Sequence, residues 1–186
     1  MNLFQKNMIP AWLTLGNLAS GFLAIIAIIE NNIPLTIPLI GCALFFDLID
    51  GYVARKFHWE SQMGIELDSL ADSVSFVLVP SLLTFFVLLD KSTVIPGIMA
   101  AFGILRLAQF NVIKGKDHFI GVPTPIHTIF IFTLLFIDLP EWILITIILL
   151  SSYSMISPIK YPAAKKGHFQ KYKGRGLILS VPIILI

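Results

Sequence analysis

The sequence predicts an all-α, polytopic transmembrane helix bundle, and three observations carry that prediction. The first is composition: 56% of the 186 residues are hydrophobic and 13% are charged, against about 25% charged in soluble domains. The mean hydropathy is +0.87. The second is run length. Apolar stretches long enough to cross about 30 Å of hydrocarbon fall at roughly 9–29, 34–55, 68–89, 93–112, 120–138 and 141–158. The third is where the charges sit. With the N-terminus in the cytoplasm, Lys6, Arg55, Lys56, Lys114, Lys116, Lys160, Lys165, Lys166, Lys171, Lys173 and Arg175 fall on the inner side, and Arg106 lies near the inner end of its helix. Lys91 is the one lysine left outside, beside Glu30, Asp90, Asp138 and Glu141. This asymmetry follows the positive-inside rule.

Taken in order, the first run follows Lys6 and could be read as a signal peptide. It ends in Glu30-Asn31-Asn32 rather than at a small-residue cleavage site, so it reads as the first membrane helix. Gly16, Ser20 and Ala24 recur on it at four-residue spacing, a small-residue stripe that lets another helix approach closely. The second and third runs flank the polar loop RKFHWESQ, and the later runs are joined by DKS, KGKD and DLPE. A further run begins near Leu177 and reaches Ile186, so at least part of another membrane helix is expected after the six core helices. Residues 1–186 read as a single integral-membrane domain. Cys42, alone in an apolar run, excludes an intramolecular disulfide and a thiolate cluster. The basic stretch KYPAAKKGHFQKYKGR reads as a positive inner loop attracted to anionic lipid headgroups, not as a nucleic-acid site.

The chemistry lies in four aspartates. Asp47 and Asp50 are three residues apart and Asp68 and Asp72 four apart, so each pair shares a helix face. At 1.5 Å per residue the first pair lies roughly 8–12 Å inward from Arg55. Antiparallel helices across a short loop put both pairs at one depth, where they converge, and Gly51 and Ala54 among them leave room for a ligand. Burying each carboxylate at membrane depth costs a few kcal/mol or more, and the side chains of Arg55 and Lys56 cannot offset four negative charges. An oxygen-only ligand set points to hard divalent cations, Mg²⁺ or Mn²⁺, with Ca²⁺ as another occupant, and four carboxylates suit two such ions. A two-metal carboxylate site with room for a ligand is a phosphoryl-transfer apparatus, and its substrate carries a diphosphate. The competing readings are interfacial aspartates in salt bridges and a cation pathway. Two pairs at matched depth, with glycine and arginine between them, weigh against both.

The spacing Asp47-x2-Asp50-Gly51-x2-Ala54-Arg55-x8-Gly64-x3-Asp68-x3-Asp72 resembles, without a departure, the motif of the CDP-alcohol phosphotransferases. That resemblance implies a six-helix core, a homodimer, and a polar cavity open to the cytoplasm. It implies attack by an alcohol on the lipid-linked phosphate of a CDP-lipid, with release of CMP. It also implies that Asp47, Asp50, Asp68 and Asp72 hold two divalent ions and that Asp72 is the general base. Gly51, Ala54, Arg55 and Gly64 would line the CDP-lipid pocket, with Arg55 on a phosphate. Thr14 and Asn17 would contact the nucleotide, although hydrogen bonding between helices explains them equally well.

Outside the motif, IPAWLTLGNLASGFLAI, LDSLADSVSFVLVP, LRLAQFNV, GVPTP and IKYPAAK are similar to the phosphatidylserine synthase branch. The match departs from the branch at Gln109, where an arginine is usual, and at SFVLVP, which lacks a glycine often found after the phenylalanine. Neither position belongs to the metal motif. The acceptor implied is L-serine and the donor CDP-diacylglycerol or CDP-archaeol, in the cytoplasmic membrane with the active site facing the cytoplasm. Serine needs a bidentate donor for its carboxylate, which Arg106 offers unless it snorkels to the interface. Gln109, Asn111 or a backbone carbonyl would take the ammonium. Lys114 is a further candidate for the serine pocket, while Lys114 and Lys116 equally suit the phosphate of glycerol 3-phosphate or an inositol phosphate, the runner-up acceptors. A divalent-cation transporter is the alternative of another class, disfavoured because the aspartates crowd one side and no repeat is visible. No HExxH pair exists to support a metalloprotease. Among the histidines, His127 is expected to be a core or cavity residue.

Overall fold

The computed structural model describes residues 8–88, 94–113, 118–157 and 160–162. Six helices follow one another: α1 (Ile9–Ile29), α2 (Ile33–Phe57), α3 (Gln62–Leu88), α4 (Val94–Ile113), α5 (Thr124–Leu135) and α6 (Glu141–Ile156). Helices α1 to α4 are long and apolar enough to cross a membrane. Their outward faces are studded with exposed apolar side chains such as Phe22, Phe45 and Leu70. This is an integral membrane protein. The expected segment at 177–186 lies outside the described residues, as do Lys6, Lys91, Lys114, Lys116 and the basic stretch beyond Pro162.

Local chemistry sets most of the helix bounds. Both α1 and α2 open with a proline in the first turn, where the missing N–H has no intrahelical partner to lose. The chain turns between them at Asn31, with φ 56°. Helix α2 ends at His58, φ 54°, whose N–H reaches the carbonyl of Ala54. Helix α3 starts six residues before the apolar run at 68, because Ser61 caps it: its hydroxyl accepts from Gly64 N–H at 3.0 Å. A serine N-cap satisfies one orphan donor of the first turn.

One expectation needs correction. The run at 120–138 forms only a 12-residue helix, about 18 Å long at 1.5 Å per residue, well short of a hydrocarbon core. Gly121 holds φ +76° and Pro123 caps the helix, so the entry is not helical. The exit stops ahead of Asp138-Leu139-Pro140. The segment His118–Ile120 instead pairs antiparallel with Lys160–Pro162, with Phe119 opposite Tyr161. This small ribbon is the one departure from an all-helical architecture among the described residues.

Helix α1 runs along α2 and also packs on α3. A Cβ added at Gly21 would lie 2.8 Å from Ser75 Cα, and one at Gly16 would lie 3.1 Å from the Phe46 ring. Ser20 and Ala24 are buried, so the small-residue stripe does serve close packing. The apolar core has two parts. One joins Ala24, Ile28, Ile40, Val79, Leu83 and Phe132; the other centres on Met99, Ile131, Leu134, Leu144 and Ile148.

Candidate active site

All four aspartates meet at the end of the bundle that carries the α2–α3 connection. One carboxylate oxygen from each of Asp47, Asp50 and Asp68 lies within 4.8 Å of the others. Asp72 sits beside them, within Coulombic reach of all three. Asp50 and Asp72 are only 5% and 8% exposed, while Asp47 and Asp68 are half-buried. The cluster therefore has a closed floor and a more open rim.

Helix α1 supplies the floor. The Thr14 hydroxyl lies between Asp50 Oδ2 and the carbonyl of Pro10. Asn17 Nδ2 donates to Asp72 Oδ1 at 3.2 Å. An ionised carboxylate only accepts hydrogen bonds, so the amide must turn its NH₂ to Asp72, and Asn17 Oδ1 is left buried without a partner. Ser75 Oγ donates to the backbone carbonyl of Asn17 at 3.1 Å, fixing the α1 backbone against α3. Thr14 and Asn17 thus make the hydrogen bonds between helices that are the alternative to nucleotide contact, and hold two aspartates in place.

Immediately after Asp72 the helix widens into π turns over Ser73–Leu78. Such turns disturb the i→i−4 ladder and recur at functional sites. Thr128 of α5 donates to the Phe76 carbonyl at 2.8 Å, satisfying an acceptor within the disturbed segment.

At the rim, Gly51, Ala54 and Arg55 fall within about a turn of Asp50. The Arg55 guanidinium lies over Gly51, where a Cβ would stand 3.3 Å from Nη1, and its charge acts on Asp47. Gly64, one turn before Asp68, leaves just enough space for the Ser61 cap. From α4, Arg106 is 7% exposed. Its guanidinium lies 5.2 Å from the Phe110 ring centroid and within electrostatic reach of Asp72. Asn111 is brought near in another way: its amide donates to Ser69 Oγ at 2.9 Å, next to Asp68. Gln109 is exposed and is not brought to the cluster. Lys114 lies outside the described residues. His127 is buried in the α5–α6 half, 3.4 Å from Ser151 Oγ.

The donor set fits a hard cation. Oxygens bound to one Mg²⁺ or Ca²⁺ at 2.0–2.6 Å lie within about 5 Å of each other, and the carboxylate trio meets that limit. No histidine or cysteine joins them among the described residues, which disfavours softer metals.

Residues 7–185 match the CDP-alcohol phosphatidyltransferase family. The chain belongs to this family. Among its relatives is the CDP-diacylglycerol–serine O-phosphatidyltransferase of Bacillus subtilis (strain 168). It is 38% identical over 177 residues, spanning 92% of this chain and 96% of the relative. An enzyme of the same name from Methanocaldococcus jannaschii is 38% identical over 157 residues, spanning 83% of this chain and 73% of its own length. The archaetidylserine synthase of Methanothermobacter thermautotrophicus is 31% identical over 164 residues, spanning 83% and 69%. This family member carries one feature that sequence reasoning missed and one that it left without partners. The π turns leave no trace in hydropathy. The carboxylate-holding role of Thr14 and Asn17 had a signal, since two polar residues on an apolar helix need partners, but the signal does not say which.

Proposed function

We propose that this member of the CDP-alcohol phosphatidyltransferase family transfers the lipid phosphatidyl group of CDP-diacylglycerol, or the equivalent group of CDP-archaeol, to L-serine, releasing CMP. The observation that carries this reading is the convergence of Asp47, Asp50 and Asp68 within 4.8 Å beside a buried Asp72. The printed activities of the relatives give the acceptor its direction.

In this reaction the serine hydroxyl oxygen forms a bond to the lipid-linked phosphorus. The bond from that phosphorus to the bridging oxygen breaks, its electron pair leaves with CMP, and the hydroxyl proton passes to Asp72 as general base. Asn17 holds Asp72 by one oxygen, which leaves the other to face the hydroxyl. Thr14 fixes Asp50. Two divalent cations of the Mg²⁺ or Mn²⁺ type, held by Asp47, Asp50, Asp68 and Asp72, supply neutralisation of the diphosphate when bound. Gly51 and Ala54 leave room for the nucleotide, and Arg55 takes one of its phosphates. Arg106 receives the serine carboxylate as a planar, two-pronged donor. The excess of lysine and arginine in the inner loops supports an N-terminus and a site on the cytoplasmic face of the cell membrane, and the protein works as a homodimer.

The test is CMP release by the purified protein with Mg²⁺ or Mn²⁺ and CDP-diacylglycerol or CDP-archaeol, offering serine, glycerol 3-phosphate and inositol phosphate separately. Release that needs both serine and metal is expected. Release with glycerol 3-phosphate or inositol phosphate alone would keep the family chemistry and overturn the acceptor. Metal flux into vesicles with no release from any donor would favour transport.

A further inference from the structure

Helix α2 has a second face, turned away from the aspartates. Phe45, Leu48 and Tyr52 stand on it at spacings of three and four residues and are 60%, 41% and 55% exposed. That spacing makes one continuous stripe, and its apolar, outward side chains are those of a lipid-facing surface. The stripe ends in a different chemistry. Four residues beyond Tyr52, the Lys56 ammonium lies 5.3 Å from the Tyr52 ring centroid and 5.8 Å from that of Phe57. Both distances are inside cation–π range. His58 then takes a left-handed conformation, and Phe57 and Trp59 on either side of it stack with centroids 4.8 Å apart. Phe57 is half exposed. A stacked aromatic pair and a lysine in open water would leave apolar surface wet for no return. At the level where hydrocarbon gives way to headgroups, ring and ammonium are each in a favourable medium.

Other tryptophans support that level. Trp12, near the start of α1 and so at the same end of the bundle, is 52% exposed; Trp142, at the start of α6, is 71% exposed. The start of α6 lies beside the end of α3, where Leu88 and Leu144 pack together, so Trp142 marks the opposite end.

We propose that Tyr52, Lys56, Phe57 and Trp59 form an interfacial anchor that docks on anionic lipid headgroups at the rim of the aspartate site. The rings seat at the hydrocarbon boundary and the Lys56 ammonium pairs with lipid phosphate. Asp50 and Asp47 lie six and nine residues earlier on the same helix, about 9 and 14 Å along it. The anchor thereby sets the depth at which the carboxylates meet the lipid, just below the headgroup plane.

The test uses protein whose one remaining tryptophan is Trp59 (Trp12→Phe with Trp142→Phe), reconstituted in phosphatidylcholine vesicles containing phosphatidylglycerol. Trp59 fluorescence should be quenched several-fold more strongly by headgroup nitroxide lipids than by aqueous iodide. Labelled phosphatidylglycerol should quench more than labelled phosphatidylcholine, and Lys56→Gln should remove that preference. Iodide quenching that exceeds lipid quenching overturns the anchor, pointing to open solvent or a soluble partner. Equal quenching by the two labelled lipids with Lys56 intact overturns the headgroup contact. CMP release from the same vesicles separates the two proposals: lipid quenching without release removes the reaction and leaves the anchor, and release with iodide quenching does the reverse.

Discussion

Buried polar side chains behave differently in the two halves of this bundle. In the α5–α6 half most return to their own helix: Ser152 donates to the Ile148 carbonyl at 2.8 Å and Thr128 to the Thr124 carbonyl at 3.0 Å, with His127 and Ser151, 3.4 Å apart across the two helices, as the exception. A hydroxyl satisfied by the carbonyl four residues back asks nothing of its neighbours. Around the aspartates of the α1–α3 half the bonds cross between helices, from Thr14 to Asp50, from Asn17 to Asp72 and from Ser75 to the Asn17 backbone, whereas Ser81 and Thr84, farther along α3, return to their own helix. A carboxylate cannot satisfy itself, so a buried cluster of them must draw donors from other elements. Thr128 also crosses, to Phe76, but it serves an acceptor in the π turns. In a membrane bundle, then, burial of a polar residue says little, and the helix it reaches says much.

The contrast can be broken experimentally, and the largest effect belongs to Asp72. Asp72→Asn should lower CMP release by about 10³-fold, within the range of a lost general base, with helical content unchanged by circular dichroism. Next comes the α1 floor. Asn17→Ala should cost about 10- to 100-fold, the usual effect of removing a group that orients a ligand. Thr14→Val should act similarly, seen as a higher metal concentration for half-maximal release. Backbone approach comes third. Gly21→Ala drives a Cβ to 2.8 Å from Ser75 Cα and should destabilise the protein by about 1–3 kcal/mol, read as a lower unfolding temperature in detergent. Gly97→Ala, with nothing within 4 Å, should instead raise that temperature slightly. Smaller than the Gly21 effect, Ser152→Ala in the far half should cost about 0.5–1 kcal/mol and leave turnover within about two-fold.

The comparison also explains what the sequence could reveal. Asp47, Asp50, Asp68 and Asp72 were legible because spacing and a short loop suffice to bring two charged pairs together. The bounds of α1 were legible because Pro10 and the Glu30-Asn31-Asn32 break coincide with its ends. The rotation of α4 was not. Lipid and core are equally apolar, so hydropathy cannot tell which side of a membrane helix faces in. Arg106 and Gln109 are three residues apart, and only Arg106 is buried. The entry of α3 needed the Ser61 cap, which lies in polar sequence where no apolar pattern marks a helix. The shortness of α5 was hidden because its apolar entry leaves the helix at Gly121 through backbone conformation, not polarity.

The most direct test of the central claim is Mn²⁺ binding, counted by electron paramagnetic resonance in the native protein and in Asp50→Asn with Asp68→Asn. Two bound ions per chain are predicted in the native protein, with binding lost in the variant while helical content stays the same. Undiminished binding in a folded variant would contradict the assignment of these aspartates as the metal centre.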